Sequence, residues 1–406
     1  MKILFVHQNF PGQFLHLARH LAAQNTHDLL FLTEARRNSL AGVRKMIRAA
    51  PPPPAPQGHP NTRDLDLALA RADIVARASQ NLKALGFTPD IVIGHQGWGE
   101  LLHINDVWPD APVLGYQEFY YNLGGFDVGF DPEFKERSDM GAHIRVKNAV
   151  NLMSLANPGL GQTPTRFQHS TYPAWARDKI AVLPEGVNLD VCRPDPELRR
   201  RVVTLGGYKV KPSETLVTYV VRDLEPYRGF HIIMRALPRI LAARPDARII
   251  LVGGDGISYG ARPSKGTWRE QMQDELAGKL DLSRVHFAGQ VPYDTYVKLL
   301  QRSDAHVYLT YPFVASWSLR EALATGCALV ASDTAPVREF VTDRKTGLLA
   351  PFLQPDTVAD RVLELLEDTR LAGRLRRAAR VWAEAHLDMG AYLAGYEALI
   401  RRAMDG

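Results

Sequence analysis

Arg222 and Arg228, six positions apart in "VVRDLEPYRGF", carry the planar guanidinium fork that grips paired anionic oxygens. The first ends an apolar run and the second precedes a helical pattern, so both could converge on one anion, although two exposed loop arginines would read the same way. In "YPFVASWSLREALATG", Tyr311 to Gly326, Ser318 stands three residues before Glu321. Ser-x-x-Glu is the capping-box spacing, in which serine accepts the third helical amide and glutamate returns to the cap amide. The same groups suit binding: free amides at a helix start attract phosphate, and a carboxylate accepts two bonds from a ribose diol. Local physics leaves both open.

Other residues have the position of a site without a complete motif. Gly12 in "HQNFPGQF" lies between strand and helix, where a missing Cβ permits close approach of a ligand or simply a turn. Gly253, Gly254 and Gly256 in "LVGGDG", and His95 in "IVIGHQGW", follow strand-like runs. No G-x-G-x-x-G, Walker or G-x-S-x-G sequence occurs, which weighs against dinucleotide, P-loop and nucleophile-elbow chemistry. Asp64 and Asp66 sit within a helical pattern and no His or Cys cluster has ligand spacing, so no metal is expected.

The elements that must position these residues alternate. "KILFVH", a helix with Phe14, Leu17, Ala18, Leu21 and Ala22 on one face, and "DLLFLT" make a β-α-β unit. "DIVIGH" and "PVLGYQEF" read as further strands with "WGELLHIND" helical between them, and "PPPPAPQGHP" as an extended loop. After "IAVLPEGVNLDVCRPDPELRRR" a second set begins: "TLVTYVV", "ARIILVGG", "VHFAGQV", "AHVYLT" and "CALVAS", each pair joined by a helix. This predicts an α/β protein with two doubly wound domains: 1–190, a linker at 191–212, 213–385, and a final helical segment 386–406.

Composition agrees with a globular chain: 406 residues, 46% hydrophobic, 23% charged. The formal charge of +5 is largely arginine, and "RLAGRLRRAAR" on a helix keeps Leu371, Leu375 and Ala379 on an apolar stripe with the arginines toward solvent. A solvated face explains this, with attraction to an anionic membrane as the second account; no aromatic-interleaved basic motif points to nucleic acid. Only Cys192 and Cys327 occur, both expected as structural thiols of a reducing cytoplasm, and no run approaches the length of a membrane span.

Taken in order, "LPEGVNLDVCRP", "VVRDLEPYRGF", "ILVGGDG", "VHFAGQVPYDTYVKLLQRSDAHVYLT" and "SWSLREALATGCALVASDTAPVREFVTDRKTGLLA" resemble the retaining glycosyltransferases of family 4, over nearly the whole chain. The resemblance implies the GT-B fold, two Rossmann-like domains facing a cleft, with C-terminal helices crossing back to the first. It implies transfer of a hexose-type sugar from a nucleotide diphosphate sugar to a saccharide, lipid-linked or other hydroxyl acceptor, without cofactor or metal, in surface polysaccharide or glycolipid synthesis. The enzyme would be cytoplasmic, with peripheral contact at the inner face of the membrane. Arg222 matches the family's arginine and Arg228 its lysine, which bind the donor diphosphate. Glu321 matches the second glutamate of E-x7-E, the ribose ligand. The first would fall at Phe313, a departure that leaves the sugar open. The amides of Trp317, Ser318 and Leu319, with Gly254, would complete the donor site. Gly12 and His95 match the glycine near the diphosphate and the histidine facing the sugar, and Glu118 and Tyr120 in "YQEFYYN" would shape the acceptor side. A nucleotide-sugar epimerase or phosphorylase on the same fold, or a catalytically impaired binding subunit, are the alternatives.

Overall fold

The computed structural model describes residues 1–55, 57–157 and 159–405. Two compact units divide the chain: unit 1 runs from Met1 to Glu185 and takes in the end of the chain from Gly390, and unit 2 runs from Gly186 to Met389.

Unit 1 is built on β1 (Lys2–Val6), β2 (Asp28–Thr33), β3 (Val43–Ile47), β4 (Ile91–His95), β5 (Val113–Tyr116), β6 (Leu160–Thr163) and β7 (Ile180–Val182), in the order β3-β2-β1-β4-β5-β6-β7. All neighbours are parallel, with Leu4 of β1 in register with Leu30 and Val92. Ile3 through Val6 are wholly buried, as a central strand covered on both faces requires. The order reverses between β1 and β4, and in doubly wound sheets the crevice beyond the strand ends at that reversal is where ligands bind. His7 follows β1 there and His95 ends β4. The helix Met389–Met404 packs on this unit: His20 Nε2 meets Glu397 at 2.8 Å, and Tyr396 is buried.

Unit 2 begins with a hairpin, β8 (Val203–Leu205) and β9 (Tyr208–Val210). β10 (Thr215–Asp223), β11 (Ala247–Gly254), β12 (Val285–Gly289), β13 (Ala305–Tyr308), β14 (Leu329–Ser332) and β15 (Leu348–Ala350) then form a parallel sheet in the order β12-β11-β10-β13-β14-β15. Its reversal lies between β10 and β13, so the ends of those strands define the second crevice.

Several expectations are corrected. The 191–212 stretch is not a free linker: Cys192, Leu205 and Val210 are buried in the core of unit 2. "WGELLHIND" is helical only at Ile104–Val107, because Gly99 takes φ +85° against the backbone of Ala68, where a Cβ would sit 2.5 Å from a carbonyl oxygen. β3 was not foreseen; it is a polar edge strand with Arg44 and Lys45 at its centre. In the proline tract, residues 51–55 have no regular structure and Pro56 lies outside the described residues.

The helix Thr369–His386 buries Leu371, Leu375 and Ala379 as its stripe predicts, but the arginines beside them are not all solvated. Arg376 donates to the Asp304 carbonyl at 2.6 Å, and Arg380 to the carbonyls of Cys192 and Ala324 at 2.7 and 2.8 Å. Both cysteines are buried and free, and burial pushes the thiols up to about 11 at Cys192 and about 12 at Cys327. Among the described residues no helix is long and apolar enough to cross a membrane.

Candidate functional site

In unit 2 the sequence places its cations at the crevice between β10 and β13. Arg222, near the end of β10, is exposed and forms no ion pair among the described residues. Arg228 is buried in the single turn Pro226–Arg228, where Nη1 donates to Thr310 Oγ1 and to the Val314 carbonyl, each at 2.8 Å. Its guanidinium lies 5.0 Å from the centre of the Tyr259 ring. Burial works against the charge, but nearby Tyr308, Tyr259 and Glu225 more than offset it, so its pKa is raised and Arg228 is a fixed cation. The turn depends on Gly229: φ is +75°, and a Cβ there would lie 2.4 Å from Leu309 Cβ.

Between the two arginines stands Glu225, fully buried, which the sequence did not single out. Its carboxylate accepts the amides of Ser258, Tyr259 and Gly260 at 3.3, 3.2 and 3.0 Å, while the Ser258 hydroxyl donates to Asp223. Burial raises the Glu225 pKa against the pull of those amides and of Arg228. The loop after β11 is thereby stapled beside Arg228. Gly254 makes room for the staple, since a Cβ would come within 2.8 Å of Asp223 Oδ1.

The helix Trp317–Ala324 follows β13, and its start is not a capping box. Ser316, not Ser318, occupies the cap, but its side chain accepts no helix amide; its hydroxyl meets Ser318 Oγ at 2.7 Å and its amide donates to Tyr308 Oη at 2.9 Å. Leu319 contributes a fully buried side chain, and its amide is already given to the Ser316 carbonyl at 3.2 Å, so it is not the free donor expected. Trp317 and Ser318 are half-buried at the first turn. Glu321 turns to another helix altogether: Tyr293 Oη donates to Oε1 at 2.7 Å and Tyr296 Oη to Oε2 at 2.8 Å. Phe313 is buried against Tyr259 and Tyr227, with ring centroids at 4.9 and 5.4 Å.

Unit 1 brings together a different group. His95 is buried; the Gly97 amide donates to its Nδ1 at 3.0 Å, which leaves the neutral ring's proton on Nε2, 3.4 Å from Glu118. His7 lies 5.7 Å from it, ring to ring, and burial, then His95, lower its pKa to about 3. Gly12 adopts φ +55° over that ring, and a Cβ would stand 3.0 Å from His7 Nδ1. Tyr120 instead packs toward Tyr172 at 5.7 Å, on the Leu155–Ile180 cluster. A buried ion pair, Arg48 with Glu100, was also missed; Arg48 further donates to Glu34 at 2.7 Å. Neither partner stands in a motif, and they are far apart in the chain.

Two family models match: the glycosyl transferase family 4 group over residues 25–192, and glycosyl transferases group 1 over residues 208–382. The phosphatidyl-myo-inositol mannosyltransferase of Mycolicibacterium smegmatis is 34% identical over 290 residues, 70% of this chain and 67% of that protein. The chain belongs to glycosyltransferase family 4. This glycosyltransferase is also 30% identical, over 68% of each chain, to a GDP-mannose-dependent alpha-(1-6)-phosphatidylinositol monomannoside mannosyltransferase of Mycobacterium tuberculosis. Its fold matches sucrose-phosphate synthase from Thermosynechococcus elongatus with a TM-score of 0.73 at 17% identity, covering 99% of this chain and 98% of that one. It matches Anabaena HepE in complex with UDP-glucose with a TM-score of 0.71 at 15% identity, covering 99% and 100%. These two Rossmann-like units make the glycosyltransferase a GT-B type protein. Of the residues missed from sequence, Tyr293 and Tyr296 did leave a signal, since three-residue spacing puts both on one helix face.

Proposed function

We propose that this glycosyltransferase moves a hexose from a nucleotide diphosphate sugar to an acceptor hydroxyl with retention of configuration and without a metal. The observation that carries the proposal is Arg228, a buried cation held by Thr310 and Val314 at the sheet reversal of unit 2. A fixed positive charge there stabilises the leaving diphosphate as the anomeric bond breaks with oxocarbenium character. Arg222, exposed on the same strand end, adds a second charge, and Glu321 receives the ribose diol. Gly254 and the helix start at Trp317 and Ser318 give the donor close access to backbone. In unit 1, Gly12, His95, Glu118 and Tyr120 serve the sugar and the acceptor. The two arginines supply the charge that a divalent cation would otherwise bring.

The two mannosyltransferases named above act on inositol lipids, one of them with GDP-mannose, so that donor and an inositol-lipid acceptor are the first pair to test. A lipid acceptor would bring the enzyme to a membrane surface. Thermal-shift measurements with UDP-, GDP-, ADP- and dTDP-sugars should show one stabilising donor. Product analysis by NMR should then give the donor's anomeric configuration, with the same rate in EDTA. Failure of every nucleotide sugar to shift Tm or to release nucleotide diphosphate would sink the proposal.

Phe313 favours a second account, a subunit that binds donor without turning it over, because a buried phenyl ring offers no hydrogen-bond acceptor where the resemblance implies glutamate. Donor binding without transfer across a broad acceptor panel would support it.

A further inference from the structure

Glu321 is held from one side by a single neighbouring helix, Tyr293–Arg302. Tyr293 takes one carboxylate oxygen and Tyr296 the other, at 2.7 and 2.8 Å. Each ionised oxygen can accept two hydrogen bonds, so the tyrosines use half of the acceptor capacity and orient the rest. Tyr296 is 8% exposed and its hydroxyl is bonded to Glu321 alone among the described residues. Tyr293 is 53% exposed, and its hydroxyl also meets Cys192 Sγ at 3.4 Å.

We propose that Tyr293 and Tyr296 are positioning residues that hold Glu321 ionised and aimed at the vicinal diol of a ribonucleoside diphosphate donor. The enzyme then prefers ribonucleotides to their 2′-deoxy counterparts, because only the former present both hydroxyls to the two oxygens. The inference rests on Glu321 as the ribose ligand. The surroundings favour it: burial raises the Glu321 pKa, while the two tyrosine hydroxyls and then Arg320 on its own helix pull it down. The other titratable groups facing the cluster are Cys192 and Cys327, neutral thiols at about 11 and about 12, and Arg380, which acts on Cys192. The hydroxyls are therefore the main support of the charged form.

The test is calorimetry of GDP and UDP, and of their 2′-deoxy analogues, against wild type, Tyr293→Phe, Tyr296→Phe and Glu321→Ala between pH 6 and 8, with donor KM and kcat. Each Tyr→Phe change should weaken ribonucleotide binding about fivefold, the worth of one hydrogen bond, with KM rising and kcat within about twofold. Tyr296→Phe should also bind more weakly at pH 6 than at pH 8, since the unsupported carboxyl protonates at higher pH. Preference for ribo over 2′-deoxy nucleotide should shrink in both. Wild-type affinity and pH profile in both variants, or a lower Tm with unchanged affinity, would overturn the positioning role. If Glu321→Ala still loses affinity, only this inference fails; if it also binds like wild type, the ribose assignment fails with it.

Discussion

Arg228 Nη1 donates to the Val314 carbonyl at 2.8 Å, tying the cation after β10 to the chain that leaves β13. The same nitrogen reaches Thr310 Oγ1, so the guanidinium fork is already oriented before any ligand arrives. A preorganised donor stabilises developing charge without reorganising when the bond breaks.

Arg228→Ala should therefore lower kcat by about 10²–10³, the usual cost of removing one preorganised donor. Arg228→Lys should fall between, since the charge stays and the fork does not. Circular dichroism and Tm identify the folded variants, because Thr310 and Val314 each lose a partner. Wild-type turnover in folded Arg228→Ala would remove Arg228 from the diphosphate site.

Arg222→Ala behaves differently. The side chain is exposed and unpaired among the described residues, so stability should change by no more than about 0.5 kcal/mol. Steady-state kinetics at low and moderate salt should nevertheless show a lower kcat/KM, with less salt dependence than wild type. Equal kinetics at both salts would make Arg222 an ordinary surface arginine.

Gly229→Ala tests the backbone. Its φ of +75° and a Cβ 2.4 Å from Leu309 Cβ both oppose a side chain. Urea denaturation should show a loss of more than about 1 kcal/mol. Turnover should fall with it, because the adjacent Arg228 is placed by the same turn.

Acid should destabilise the protein through its buried histidines. Burial, then His95, lower His7 from 6.5 to about 3, and burial lowers His306 from 6.5 to about 4. With folded pKa values below the unfolded ones, the unfolded chain binds more protons between those limits, so stability falls as pH drops below 6.5. At pH 5 each group costs about 2 kcal/mol. Urea titrations from pH 7 to 4.5 should show the slope, and His306→Gln should flatten it. An unchanged slope would mean that His306 titrates normally.

Most strands and helices around the site were legible because apolar periodicity is a local property: "KILFV" and "TLVTYVV" bury as sheets covered on both faces must. The glycine that broke "WGELLHIND" was visible too, but its consequence depended on Ala68, which the sequence does not place beside Gly99. Arg222, Arg228 and Glu321 could be picked out by residue type and spacing. Phe313 stood out as a departure, while the aromatic rings that enclose it did not.

By itself, then, the sequence determined the alternation of strand and helix, the two doubly wound sheets, and the residue types offered at the strand ends. Only the tertiary structure decided how those residues are held. Ser318 and Glu321 match a capping box in spacing, yet Glu321 bonds Tyr293 and Tyr296 from another helix, and Ser316 takes the cap. The physical reason is that a helix cap competes with every other donor the fold brings near the carboxylate. A contact across 25 or 28 residues is set by packing, not by local spacing.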